Sequence, residues 1–289
     1  MKGKMAPVLA LGIAIAVMLT SCTGNPAIAF DGQKAYEHVL AQCDLGPRPS
    51  GSTAILATYN YIASKLKEQG WELRSQHFLY GGIKARNLMA KKGKGPVVML
   101  GAHYDTRPIA DKDPNNPDQP VLGANDGASG VAVLLELARC LEENKLKNTV
   151  ILTFFDAEDR GHIDGWPFCV GSEYLAANLN FTPEYIIVVD MVGDAKQELY
   201  WEGNSDPVLL ERIWDIAAEL GYKMSFIPTY KWRITDDHTP FLKRGIPAID
   251  IIDFDYPYWH TTEDTPDKVS PESLERVGRV LEVFLEEKQ

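Results

Sequence analysis

The chain has 289 residues, of which 45% are hydrophobic, and carries a formal net charge of −11 at pH 7. This length is enough for one large domain with its own core, and no Ser/Gly-rich linker divides the sequence. An acidic chain is not drawn to nucleic acid by long-range attraction, so we expect no nucleic-acid partner.

The N-terminal residues predict an export signal. Lys2 and Lys4 precede an apolar run over 7–19, which is too short for a comfortable membrane span. The tetrapeptide Leu19-Thr20-Ser21-Cys22 follows and resembles the lipobox of bacterial lipoproteins, in which the cysteine is lipidated and becomes the first residue. An ordinary signal peptide cut after 27–29 is the alternative.

Lipidation of Cys22 would define both the domain boundaries and the location. We expect a lipoprotein signal peptide over 1–21, a tether over 22–31 and a catalytic domain over 32–289. The protein would be lipid-anchored in the cell envelope, on the periplasmic side or at the cell surface.

Three further cysteines follow, Cys43, Cys140 and Cys169. Because three is odd, at most one disulfide forms and at least one thiol stays free, and the sequence does not select the pair. No C-x-x-C occurs, which argues against a zinc site built from thiolates.

Beyond the N-terminal segment, helical and strand-like patterns alternate. Helical spacing over 31–43 and 53–69 is followed by alternating patterns over 71–80 and 85–90. Apolar runs of strand length then alternate with helical patterns; the runs cover 97–102, 150–155, 185–189 and 248–252, and the helices cover 127–143, 171–178, 206–220 and 271–286. This order predicts a single α/β domain with a mostly parallel, twisted central sheet and helices on both faces.

Ligands of such folds bind beyond the carboxyl ends of the strands. The metal-type and acid–base residues of this chain are expected at that edge: His103, Asp105, Asp126, Glu158, Asp159, Asp190 and His260. Each has an ordinary explanation alone, such as a helix cap, a solvated turn or a core histidine. Together they indicate a bound cation, and aspartates with a histidine suit a catalytic zinc with a glutamate as general base.

Several motifs carry a family resemblance. Those that resemble the zinc aminopeptidase superfamily, which also contains glutaminyl cyclases, are Gly101-Ala-His-Tyr-Asp105, Ala124-Asn-Asp-Gly-Ala-Ser-Gly130, Phe154-Phe-Asp-Ala-Glu-Asp159, Gly171-Ser-Glu-Tyr-Leu175 and Val189-Asp-Met-Val-Gly193. Thr235-Asp-Asp-His-Thr-Pro-Phe241 and Tyr258-Trp-His-Thr261 resemble glutaminyl-peptide cyclotransferases in particular. The resemblance covers nearly all of 32–287.

The resemblance implies one zinc per chain, held by Asp126, Asp159 and His260. It makes Glu158 the proton shuttle and adds two supporting carboxylates, Asp190 and Asp237. Animal cyclases have Glu-Glu where this chain has Glu158-Asp159, and the shorter aspartate would shift the metal slightly. The implied reaction converts N-terminal glutaminyl residues of peptides to pyroglutamyl residues and releases ammonia.

A dinuclear zinc aminopeptidase is the alternative, because His103 and Asp190 could complete a second metal site. Two features favour the cyclase. Trp259 directly precedes His260 and could form a wall of the substrate pocket, and Trp166, in the long link after Asp159, could form another. His103 and Asp105 would then support the site, although core packing is the alternative for each tryptophan.

Two other classes are disfavoured. Asp237-His238 could belong to a serine-hydrolase triad, but no Gly-x-Ser-x-Gly accompanies it. A non-catalytic, transferrin-receptor-like binding protein would not need the intact set of zinc ligands and base.

Overall fold

The computed structural model describes residues 1, 3 and 29–286. Cys22 and nearly all of the predicted signal peptide and tether lie outside these residues. Phe30, at the end of the predicted tether, is buried against Gly278. The packed part of the chain therefore already includes Phe30, before the expected domain start at residue 32.

Helices and strands alternate along most of the chain, as the hydrophobic patterns predict. The helices are α1 (Gly32–Cys43), α2 (Thr53–Glu68), α3 (Ser129–Cys140), α4 (Val170–Ala177), α5 (Pro207–Glu219), α6 (Thr239–Leu242) and α7 (Pro271–Glu286), and a short 3-10 helix covers Pro266–Lys268. The strands are β1 (Glu72–Tyr80), β2 (Ile83–Lys92), β3 (Val97–His103), β4 (Thr149–Phe155), β5 (Ile186–Asp190), β6 (Leu199–Glu202), β7 (Phe226–Trp232) and β8 (Ala248–Ile252).

The central sheet has the strand order β1-β2-β4-β3-β5-β8. Its inner part is parallel, since β3 pairs in parallel with both β4 and β5, and β5 with β8. The hairpin β1-β2 joins the edge of β4 by antiparallel pairing. The carboxyl ends of four strands therefore meet along one edge, which confirms the predicted mostly parallel sheet.

Helices cover both faces of this sheet. On one face α3 contacts α1, α2 and α7, and on the other α4 contacts α6. Side chains of β3 alternate between the two cores, with Val98 and Leu100 in the first and Met99 in the second. The period of two in a strand thus explains why the run over 97–102 has no polar position.

The small sheet formed by β6 and β7 is absent from the sequence-based prediction. Most of β7 is exposed and includes Pro228, so neither an apolar run nor a clear alternation marks it. Among the residues that the structure describes, no helix is long and apolar enough to cross a membrane.

Candidate metal centre and active site

The candidate site lies at the carboxyl edge of the parallel strands. His103 ends β3, Asp190 ends β5, and Glu158-Asp159 follow β4 after a short turn. Asp126 precedes α3, and His260 lies on the loop that follows β8. The topology thus brings together residues that are up to 157 positions apart in the chain.

Asp126, Asp159 and His260 form a buried group with the geometry of a metal site. The Nε2 atom of His260 lies 3.0 Å from Oδ1 of Asp159 and 3.7 Å from Oδ2 of Asp126. The Oδ2 atoms of Asp126 and Asp159 are buried and have no hydrogen-bond partner within the described part of the chain. Since zinc binds such atoms at about 2.0–2.2 Å, ligand atoms at these separations can share one ion.

His103 belongs to a second group that shares Asp126. Its Nε2 atom lies 3.1 Å from Oδ1 of Asp126 and 3.1 Å from Oδ1 of Asp190. His103, Asp126 and Asp190 could also hold an ion, so the five predicted ligands of a dinuclear site lie together. Asp105 is not in this group; its Oδ1 atom lies 3.7 Å from Nδ1 of His103, on the other side of the imidazole ring.

Two aspartates hold the backbone of the ligand-bearing turns. The carboxylate of Asp105 accepts hydrogen bonds from the backbone N–H groups of Glu158 and Asp159, at 3.0 and 3.1 Å. The carboxylate of Asp264 does the same for Asn125 and Asp126, at 2.8 and 3.1 Å. Such outer partners orient metal ligands, which explains why these acids are buried near a site that is already acidic.

A cavity of about 240 Å³ opens above the first metal group. Three carboxylates, those of Glu158, Asp190 and Asp236, line it in addition to the ligands. Its apolar walls are Phe168, Met191, Ile234, Ile252, Phe254 and Trp259. The ring of Trp259 lies 3.9 Å from that of His260, centroid to centroid, so the indole borders the metal group as predicted.

Burial sets the protonation of the cavity carboxylates. It raises the pKa of Glu158 well above its usual range, against the attraction of a charged His103. Burial likewise raises the pKa of Asp190 to about 7 and that of Asp159 to about 6. A divalent cation beside these groups would favour their charged forms, which is consistent with a site built to hold one.

Two of the predicted site residues do not line the cavity. Trp166 packs in a separate cluster with Phe78 and Val170 and does not line the cavity. Phe168, two residues further along the chain, lines the cavity instead. Asp237 is fully buried and its charge would raise the pKa of the nearby Glu158, whereas its neighbour Asp236 lines the cavity.

Sequence reasoning missed Asp236, Phe168 and Asp264. Asp236 stands beside a second aspartate in an irregular loop, where no periodicity tells which carboxylate faces inward. Asp264 lies 138 positions from Asp126, so only the fold shows their contact. Cys43, Cys140 and Cys169 are all free thiols in the structure, so no disulfide joins them.

The fold and the site define the class of the protein. Residues 87–285 match the model of peptidase family M28, and the chain belongs to that family. The aspartate and histidine ligands, together with the zinc enzymes among its relatives, indicate zinc as the metal.

Within this class, the chain is similar to glutaminyl cyclases. The structure matches a Bacteroides thetaiotaomicron glutaminyl cyclase with a TM-score of 0.85 and 33% identity, covering 90% of this chain and 99% of that chain. A Zn-dependent exopeptidase from Parabacteroides distasonis matches with the same TM-score, identity and coverage. The glutaminyl-peptide cyclotransferase of Bos taurus is 26% identical over 84% of this chain and 80% of its own length. The predicted resemblance is thus confirmed.

Proposed function

We propose that this protein is a glutaminyl-peptide cyclotransferase that uses one zinc ion. The observation that carries the proposal is the cavity, which is small, walled by Phe168, Phe254 and Trp259, and lined by three carboxylates besides the metal ligands. A cavity of about 240 Å³ suits a single amino-acid side chain. Similarity to curated cyclotransferases and bacterial glutaminyl cyclases supports the same reaction.

The side chains suit an intramolecular reaction in which the α-amine of the glutamine attacks its own γ-amide carbon. Asp126, Asp159 and His260 would hold the zinc ion, which would supply Lewis-acid polarisation of the γ-carbonyl group. Glu158 accepts a proton from the attacking amine and returns it to the nitrogen that leaves as ammonia. Burial raises the pKa of Glu158, which makes its carboxylate a stronger proton acceptor for the first of these transfers.

The remaining cavity residues position the substrate and exclude water. Asp190 and Asp236 face the cavity and can accept hydrogen bonds from the amine and the leaving amide. The rings of Phe168 and Trp259 restrict the folded glutamine side chain and keep out water, the competing nucleophile. Because the nucleophile is part of the substrate, positioning alone can contribute much of the rate.

One zinc is enough for this chemistry, because no water has to be activated. Although burial disfavours a charged imidazole, the carboxylates of Asp190, Asp105 and Asp126 raise the pKa of His103 well above its usual range. A protonated His103 can therefore neutralise Asp126 and Asp190 in the position of a second cation. A dinuclear aminopeptidase remains the second candidate, favoured by the ligand group of His103, Asp126 and Asp190.

Product analysis separates the two enzymes. We expect Gln-β-naphthylamide to give pyroglutamyl-β-naphthylamide and ammonia, with one zinc per chain by elemental analysis. Free naphthylamine without the pyroglutamyl product, together with two zinc ions per chain, would identify the aminopeptidase. Asp126→Ala, which removes a ligand common to both sites, is the inactive control.

We also propose that the enzyme is exported and anchored to a membrane of the cell envelope by lipid on Cys22. The lipobox-like Leu19-Thr20-Ser21-Cys22 supports this. Wild-type protein should enter the detergent phase on Triton X-114 partitioning, and Cys22→Ser should remain in the aqueous phase. Cys43→Ser is the control, and equal partitioning of Cys22→Ser and wild type would disprove the anchor.

A further inference from the structure

A second, larger cavity adjoins the catalytic cavity. It has a volume of about 660 Å³ and lies between the tip of the β1-β2 hairpin, the loop before α4, and α4 itself. His162, Phe168 and Thr235 line both cavities, so the two lie side by side. We call the second cavity the hairpin groove; its other lining residues include Phe78, Leu79, Tyr80 and Tyr174.

Several large apolar side chains of the hairpin groove are exposed to solvent. Leu79 is 67% exposed, Tyr80 39% and Tyr174 37%. Tyr174 stacks on Phe78 with ring centroids 4.7 Å apart, which extends the apolar surface from the hairpin onto α4. Grouped apolar residues of this kind mark a binding surface, whereas single exposed ones are ordinary.

The groove is rigid enough to be preformed. Gly81 and Gly82 adopt positive φ values of 52° and 81°, which closes the hairpin with a two-residue turn. The indole of Trp166 packs beneath Gly81 and, edge to face, against Tyr80 at 4.8 Å. A preformed apolar surface binds a ligand without a large ordering cost.

The polar residues of the two cavities predict the direction in which a peptide substrate binds. Besides the metal ligands, the catalytic cavity is lined by the carboxylates of Glu158, Asp190 and Asp236, which can accept hydrogen bonds from the amine of a peptide N-terminus. Apart from His162, which it shares with the catalytic cavity, the hairpin groove has one acidic and one basic residue among its described lining residues, Glu173 and Lys243, and these pair with each other at 3.5 Å. A peptide should therefore place its N-terminus in the first cavity and an uncharged, apolar part in the groove.

We infer that the hairpin groove binds the substrate residues that follow the N-terminal glutamine and selects peptides with a large apolar side chain there. This inference rests on the proposed cyclotransferase function and adds its substrate class. Phe168 separates the two binding regions, since its ring faces His260 at 6.4 Å and also lines the groove. A residue or two of extended chain, at about 3.3–3.6 Å each, would carry the substrate past it.

Steady-state kinetics with matched peptides test the inference. The substrates are glutaminamide, which ends before the groove, and tetrapeptide amides Gln-Ala-X-Ala and Gln-X-Ala-Ala in which X is Phe or Ser. For at least one position of X, we expect wild-type kcat/KM to be about ten-fold or more higher with Phe than with Ser, since burying a phenyl ring favours binding by at least that factor.

Substitutions in the groove should remove this preference. Leu79→Ser and Tyr174→Ala should reduce the Phe/Ser ratio to about three-fold or less, chiefly through KM, while kcat/KM for glutaminamide stays at the wild-type value. Val208→Ser is the matched control, because Val208 is 71% exposed and lies outside both cavities.

The outcomes separate the possible failures. An equal wild-type kcat/KM for Phe and Ser peptides at both positions, or an unchanged ratio in Leu79→Ser, would overturn the inference. If Leu79→Ser dissociates an oligomer in light scattering and leaves the ratio unchanged, the groove binds a second copy of the chain and the inference is wrong. If no pyroglutamyl product forms from glutaminamide, the proposed function itself fails, and the inference fails with it.

Discussion

Glu158 faces the cavity and is also shielded from solvent, and a proton carrier at this position requires both properties. It lines the cavity beside the proposed metal ligand Asp159, yet it is only 7% exposed. Its carboxylate lies near the Cys169 thiol, at 3.5 Å, and contributes no ligand to the Asp126–Asp159–His260 group. A substitution of Glu158 should therefore change turnover without removing a ligand of that metal group.

Glu158→Gln should keep zinc and lose most activity. The amide has nearly the same shape but cannot accept a proton, so we expect kcat to fall by about 10²- to 10⁴-fold. Elemental analysis and the rate of pyroglutamyl formation check this. Glu211→Gln, at an exposed position on α5, should behave as wild type, and a Glu158→Gln variant that cycles at the wild-type rate would rule out the assigned role.

The adjacent aspartates Asp236 and Asp237 differ in their environment. Asp236 lines the cavity, whereas Asp237 is fully buried, and burial raises the pKa of Asp237 well above its usual range. Of this pair, Asp236 is therefore the carboxylate that faces the cavity.

Asp236→Asn should reduce kcat by about 10- to 100-fold, because a charge-assisted hydrogen bond to the substrate is lost. Asp237→Asn should change kcat by less than about three-fold, since a neutral acid and an amide place similar groups there. Each variant serves as the control for the other. The opposite order of effects would restore Asp237 as the functional carboxylate.

At the scale of elements, long-range hydrogen bonds fix the turns that carry the ligands. Oδ1 of Asp264 accepts the backbone N–H of Asn125 and also the hydroxyl of Tyr256, at 2.7 Å, while Oδ2 accepts the N–H of Asp126. The loop after β8 therefore holds the turn before α3. The position of the ligand Asp126 depends on both segments.

Asp264→Asn should weaken zinc binding by about 10- to 100-fold, because its amide cannot accept hydrogen bonds on both sides. Competition with a zinc chelator measures this. Asp206→Asn is the matched control, since Asp206 accepts the N–H groups of Val208 and Leu209 through a single oxygen, and asparagine caps helices equally well. Equal zinc affinity of Asp264→Asn and wild type would contradict the positioning role.

At the scale of the whole molecule, buried carboxylates link stability to pH. Asp253 lies outside the metal group and is 1% exposed; burial raises its pKa to about 7. Such an acid keeps its proton at higher pH in the folded state than in the unfolded state. Its contribution to stability is therefore complete below about pH 4 and is lost as the pH rises toward 7.

The free energy of unfolding of the metal-free protein should fall as the pH rises from 4 to 7. Each pH unit in this window costs up to about 1.4 kcal/mol for each such group. Asp253→Asn cannot ionise, so urea unfolding should show a shallower decline for it, whereas Asp215→Asn, at an exposed position, should follow wild type. An identical slope for Asp253→Asn would show that Asp253 does not contribute.

The accuracy of sequence-based prediction followed the strength of the local signal. The mostly apolar runs at 97–102 and 248–252 match β3 and β8 within a residue, because strands buried on both faces have few polar positions, Asp250 being one in β8. The half-exposed β6 and β7 have no such pattern and were missed. Trp166 was expected in the pocket, but an aromatic residue gives the same sequence signal in a core cluster as in a cavity wall.

The sequence by itself determined the fold class, the family and the residue types of the zinc site, because strand periodicity and motif order are local properties of the chain. Only the tertiary structure decided which carboxylates face the cavity, which aromatic residues wall it, and that Asp105 and Asp264 hold the ligand turns. It also showed that an apolar groove lies beside the cavity, between the hairpin and α4. These facts depend on contacts between distant segments, and side-chain direction in an irregular loop is set by packing rather than by periodicity.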